Sequence, residues 1–142
     1  MTTDALSPQD ALVAVMVAVS AADQNMTDRE LTTITGIINI LPVFAGYDDD
    51  RIPRVSAMVV DLLEEEDGLD ALIGLVEDAL PDHLRETAYA LACDVAAADV
   101  AVAMTELRFL EMLRYGLQIG RLAAAAIERG ARARHQRLEP RR

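Results

Sequence analysis

A chain of 142 residues with one cysteine and a net charge of −11 is sized for a single domain, and it cannot build a disulfide framework, a CxxC redox pair or a cysteine-rich zinc site. The charge is uneven: residues 1–120 hold 6 Arg against 22 acids, whereas residues 121–142 hold 7 Arg against 2 acids. An acidic body of this kind repels nucleic acid, so no nucleic-acid partner is expected.

Read in chain order, the pattern is helical throughout. Residues 1–7 form a short tail with neither the charge nor the apolar length of a signal peptide. Ser7-Pro8-Gln9-Asp10 supplies an N-cap, a proline at the first helical position and an acid in the first turn, which predicts a first, amphipathic helix over about 8–23. Thr27-Asp28-Arg29-Glu30 is a capping box opening a second helix with Leu31, Ile34, Ile37, Ile38 and Leu41 on one face, ended by Pro42. The third takes Pro53 near its start and presents Val55, Met58, Val59, Leu62 and Leu63. Gly68 separates it from a short fourth helix over about 69–79, and Pro81 begins a fifth with Leu84, Ala88, Leu91, Val95 and Ala98 along one face. A sixth over about 104–115 carries Leu107, Leu110 and Leu113, and a seventh over about 118–136 carries Leu122, Ala126 and Ile127. With no sustained alternation of period two, the expected fold is all-α, a compact bundle of about seven helices in one domain over 8–136 with a basic tail at 137–142.

Two stretches resemble each other. Ser20-Ala21-Ala22-Asp23 through Glu30-Leu31 recurs as Ala96-Ala97-Ala98-Asp99 through Glu106-Leu107, with both acids displaced by 76 positions. The pattern predicts an internal pseudo-repeat of helix, connection and helix, each copy placing two carboxylates at its junction. Neither copy is an EF-hand, because Val19 and Ala21, or Val95 and Ala97, occupy the positions where the earlier calcium ligands belong. If the copies pack about a two-fold axis, Asp23, Glu30, Asp99 and Glu106 can meet around one hard cation such as Ca²⁺, Mg²⁺ or Mn²⁺. A plainer reading stands beside it: Glu30 serves the capping box and the aspartates satisfy backbone N–H groups. Asp94 ranks as a secondary candidate ligand, although an arginine partner explains it better.

Those two motifs, with Phe109-Leu110-Glu111-Met112-Leu113 and the run from Ala124-Ala125-Ala126-Ile127-Glu128-Arg129 to Arg132, resemble the TerB family associated with tellurite resistance over roughly residues 8–138. The family usually has Gly after each motif Asp, where this chain has Gln24 and Val100. The resemblance implies a cytosolic all-helical protein linked to bacterial stress and metal responses, with acidic residues proposed to bind a divalent cation.

Other chemistry is weakly signalled. His83 and His135 show no zinc spacing, no Gly-rich phosphate cradle is present, and Ser7, Ser20 and Ser56 have no triad partner in view. Cys93 reads as a small core residue, and without a redox centre the reduction of tellurite is not expected. The expected protein is therefore cytoplasmic and binds without catalysing, in tellurite or metal stress, with a helical protein-interaction adaptor as the alternative. A protein partner in a stress-response complex is expected. For the Arg-rich tail, docking on the acidic body and peripheral contact with an anionic membrane are the two candidate roles.

Overall fold

The computed structural model describes residues 6–21, 28–98 and 104–139. Among these residues the chain forms seven α-helices and no strand: α1 (Pro8–Ala21), α2 (Asp28–Ile40), α3 (Ile52–Leu63), α4 (Gly68–Ala79), α5 (Arg85–Ala98), α6 (Met104–Gly116) and α7 (Arg121–Arg134). Short 3₁₀ turns at Pro42–Phe44, Asp49–Arg51 and Asp82–Leu84 join α2 to α3 and α4 to α5.

The helices begin and end for local reasons. Ser7 caps α1, its hydroxyl accepting from the Asp10 amide at 3.0 Å, and Pro8 supplies the first helical residue. Between α3 and α4 the chain reverses through Asp67 in the left-handed region (φ 61°) and then Gly68. A Cβ on Gly68 would stand 2.0 Å from the Leu62 carbonyl oxygen, so any larger residue would force the two helices apart. The fifth helix starts later than the proline alone suggests, because a 3₁₀ turn intervenes before Arg85. The seventh also starts later, at Arg121. Gln118 takes a left-handed conformation (φ 58°) and ends α6 with a Schellman pattern, the Ile119 amide donating to the Arg114 carbonyl at 3.0 Å and the Gln118 amide to the Tyr115 carbonyl at 3.1 Å. Arg85 ties this turn down, donating to the Leu117 carbonyl and the Gln118 side chain.

α1 is the central post. The expectation of an amphipathic first helix is corrected here: Ala11 to Val19 are all fully buried, because α1 packs against α3, α4 and α5 and touches α2 and α6. A helix apolar on every side is stable only when neighbours cover it all round. α7 lies against α5, and its buried positions are Ala124 and Ala131, one heptad apart. Of the expected stripe, Leu122 and Ala126 face outward, with Leu122 85% exposed, while Ile127 packs partly against the core. Small side chains let α7 approach α5 closely, which a leucine at those positions would prevent. No helix among the described residues is long and apolar enough to cross a membrane.

Candidate functional site

Two helix starts carry the acids that the repeat singled out. Glu106, in the first turn of α6, is only 2% exposed, whereas the adjacent Leu107 is 50% exposed. α2 repeats the arrangement, with Glu30 half-buried in its first turn and Leu31 40% exposed. Both helices are thus rotated so that the acid points inward and the leucine outward, against the ordinary hydrophobic preference. The inward set of α6 is Glu106, Phe109 and Leu113; of the expected stripe Leu113 is buried and Leu110 packs partly against the core, while Leu107 faces out. Both glutamates have interaction partners. Asp23 and Asp99, the other two expected ligands, lie outside the described residues.

The same end of α1 carries another polar group. Ser20, in its last turn, is 1% exposed, and its hydroxyl has no hydrogen-bond partner among the described residues. A buried hydroxyl without a partner costs free energy, and its oxygen is a donor type that suits a hard cation or its bound water. Among the described residues no group of three His, Cys, Asp or Glu side chains is placed to hold a metal. The described donors are therefore of the right chemical kind for a hard cation, but only two of the four expected carboxylates are among them.

Asp94 is held by other groups. Its Oδ1 accepts from Arg134 Nη2 at 2.6 Å and Nε at 3.1 Å, with His135 Nε2 at 3.4 Å, so the arginine partner expected from the sequence is present. Beside this pair a cavity of about 730 Å³ opens between α5, α6 and α7. Tyr89 and Cys93 line it, and the Tyr89 hydroxyl donates to Glu128 Oε2 at 2.6 Å. Burial pushes the Cys93 thiol up to about 11, so it stays protonated at neutral pH and is a poor nucleophile.

Sequence reasoning missed one thoroughly bonded carboxylate. Asp10, read only as a first-turn acid, is 3% exposed and accepts from the Tyr47 hydroxyl at 2.9 Å and from Arg51 through both Nε and Nη2. The Arg51 guanidinium, chiefly through its hydrogen bonds, holds the Asp10 carboxyl below its usual range, outweighing the opposing effect of burial. Burial, followed by the hydrogen bond to Asp10, pushes the Tyr47 phenol up. Gln9 adds two bonds from its side-chain amide to the Val43 and Ala45 carbonyls, so the start of α1 is clamped to the connection between α2 and α3. The Tyr47 and Arg51 positions, 37 and 41 residues downstream of Asp10, gave no local signal of this pairing.

An all-helical bundle with a fully buried first helix and acids turned inward at two helix starts defines a class of small helical proteins without a recognisable catalytic constellation among the described residues. A family model described as "Tellurite resistance protein TerB" matches residues 9–129, and the chain belongs to that family. No curated protein and no solved structure matches it.

Proposed function

We propose that this TerB-family protein works by binding a divalent cation, as a sensing component of a tellurite or metal stress response, with Glu30 and Glu106 acting together with Asp23 and Asp99. The observation that carries this reading is the inward rotation of both glutamates while their leucine neighbours face solvent. Carboxylates turned inward at two helix starts are oxygen donors of the kind a hard cation takes, and a shared cation would add to the interactions both glutamates already make. The pairing of helices supports the reading. α1 and α5 each have 14 residues, and α2 and α6 each have 13. α1 packs on α5, α1 touches α6 and α2 touches α5, which are the contacts expected of two helix pairs related by an approximate two-fold axis. The Ser20 hydroxyl, without a hydrogen-bond partner among the described residues, adds an oxygen near the first junction.

The test is thermal unfolding of metal-stripped protein with and without Ca²⁺, Mg²⁺ or Mn²⁺. A ligand bound only by the folded state stabilises it by about 2.7 kcal/mol at a hundredfold excess over Kd. The wild type should gain a clear rise in melting temperature from one of these ions, and Glu106→Gln should lose it. A wild type indifferent to all three at millimolar concentration refutes the reading.

The second reading is an adaptor that binds a protein partner of a stress-response complex. It is favoured by Tyr115 (67% exposed) and Leu122 (85% exposed), two large apolar side chains flanking the turn between α6 and α7. Under that reading Tyr115→Ser with Leu122→Ser weakens partner capture and leaves any cation response intact.

A further inference from the structure

The cavity between α5, α6 and α7 lies beside the start of α6, from which Leu107 lines it, and its lining has an unusual charge for this molecule. Four arginines (Arg114, Arg132, Arg134 and Arg137) and two glutamates line the cavity, and with Arg134 paired to Asp94 beside it an excess of one positive charge remains, in a chain whose net charge is −11. The acids present do not neutralise this excess. Glu128 accepts the Tyr89 hydroxyl, and Glu111 takes part in no ion pair among the described residues. Arg134 is committed to Asp94, but Arg114, Arg132 and Arg137 make no ion pair among the described residues.

Arg114 is the most constrained of the three. Its guanidinium carbon lies 5.0 Å from the centroid of the Tyr115 ring, and its Nε is buried with no hydrogen-bond acceptor among the described residues. A buried charged donor lacking an acceptor is destabilising, and three guanidinium groups around one cavity repel one another. An anion relieves both. The remaining wall is apolar: Ala96, Ala97, Leu107 and Leu110 contribute to it, and Leu107 keeps half its surface exposed. The volume of about 730 Å³ lies within the range of small-molecule sites.

We propose that this cavity binds a small amphiphilic anion, with its carboxylate or phosphate head among Arg114, Arg132 and Arg137 and its apolar body against Ala96, Ala97, Leu107 and Leu110. The head is recognised as arginine recognises oxyanions generally, through paired charge-assisted N–H···O bonds.

Titration calorimetry on the full chain tests this with monomeric decyl phosphate as probe, compared with decanol, inorganic phosphate and phosphatidylglycerol vesicles. Decyl phosphate should bind one to one. Decanol and inorganic phosphate, each carrying half of the recognised chemistry, should bind at least about tenfold more weakly. Arg132→Gln with Arg137→Gln changes two exposed side chains and should weaken decyl phosphate by about tenfold or more while leaving the melting temperature unchanged. Leu107→Glu, at a half-exposed position, should do the same by placing a negative charge in the wall. Equal affinity of the double variant, or no binding at millimolar probe, overturns the proposal. Binding to vesicles without binding of monomeric decyl phosphate also overturns it and assigns the arginines to a membrane surface.

Discussion

Two long-range arginine–aspartate pairs among the described residues join parts of this bundle at different places, and they differ in how completely they are enclosed. Asp10 at the start of α1 is withdrawn from water and receives bonds from Tyr47 and from two nitrogens of Arg51, with Gln9 reinforcing the same junction. Asp94 on α5 is partly exposed, and its partner Arg134 is more than half exposed at the edge of a cavity. The first pair closes the core where the connection between α2 and α3 crosses α1. The second joins α7 to α5 and leaves spare cationic groups beside it. A bond network whose every member is satisfied fixes structure, whereas a region with surplus charge and open volume is where a ligand has something to gain.

The contrast is sharpened most by Asp10→Ala. It strips the clamp and leaves the Tyr47 hydroxyl and an arginine without their acceptor, which should cost about 2–3 kcal/mol in urea unfolding. This is less than for a fully buried pair, because half of the Arg51 side chain remains in water. The carboxyl of Asp10 titrates below its ordinary value in the folded state, so its contribution is complete above the unfolded pKa of about 4 and is lost as pH falls through the folded value. The stability difference between wild type and Asp10→Ala should be flat at neutral pH and shrink below about pH 4. A difference that persists unchanged in acid would mean that the clamp does not act through the ionised carboxylate.

An intermediate effect is expected at Cys93 on the cavity side. Its thiol pKa is raised to about 11 in the folded state, so the proton is released more easily by the unfolded chain. Stability is fully present below the unfolded pKa of about 8.5 and declines as pH rises towards 11, by about 1 kcal/mol near pH 9.5. Cys93→Ala should remove that alkaline decline, as followed by unfolding at a series of pH values.

Smaller still is the second ion pair. Arg134→Gln should cost only about 0.5 kcal/mol, and the loss should fade at high salt, as for other half-exposed pairs. A cost as large as that of Asp10→Ala would erase the distinction between the two regions. The smallest effect is expected at Leu122, whose 85% exposure makes Leu122→Ser neutral within about 0.5 kcal/mol.

Much of the fold was legible because its punctuation is local. Ser7-Pro8, Pro42, Pro53 and Gly68 mark helix ends by rules that need no tertiary information, and α1, α2, α3 and α4 start or stop beside them. Element ends set by distant partners were harder to read. The start of α7 depends on a left-handed glutamine that Arg85 helps to hold from 33 residues away. Faces were less legible than spans. In α6 the sequence offers Leu107, Leu110 and Leu113 as one stripe and Glu106, Phe109 and Leu113 as another, and apolarity alone selects the first. The structure adopts the second, since Phe109 fills the core and carries Glu106 inward with it. In α7 the choice of Ala124 and Ala131 over Leu122 follows from how closely α5 approaches, which no periodicity records.

The candidate site was legible in part. Glu30 and Glu106 stood out through the 76-residue repeat and Asp94 as an acid beside an apolar face, and the arginine partner of Asp94 followed from the cost of burying it alone. Asp10 was missed because its partners are distant in sequence, and the cavity because it forms only where three helices and the arginines after α7 converge.

The most direct test of cation binding at the two helix starts is an anomalous difference map from crystals of the protein soaked in MnCl₂. A peak is expected within oxygen-ligand distance, about 2.0–2.6 Å, of the Glu106 carboxylate, lost in Glu106→Gln. A map without that peak at saturating Mn²⁺, or with peaks confined to the exposed acids Asp48–Asp50 and Glu64–Asp67, would contradict it.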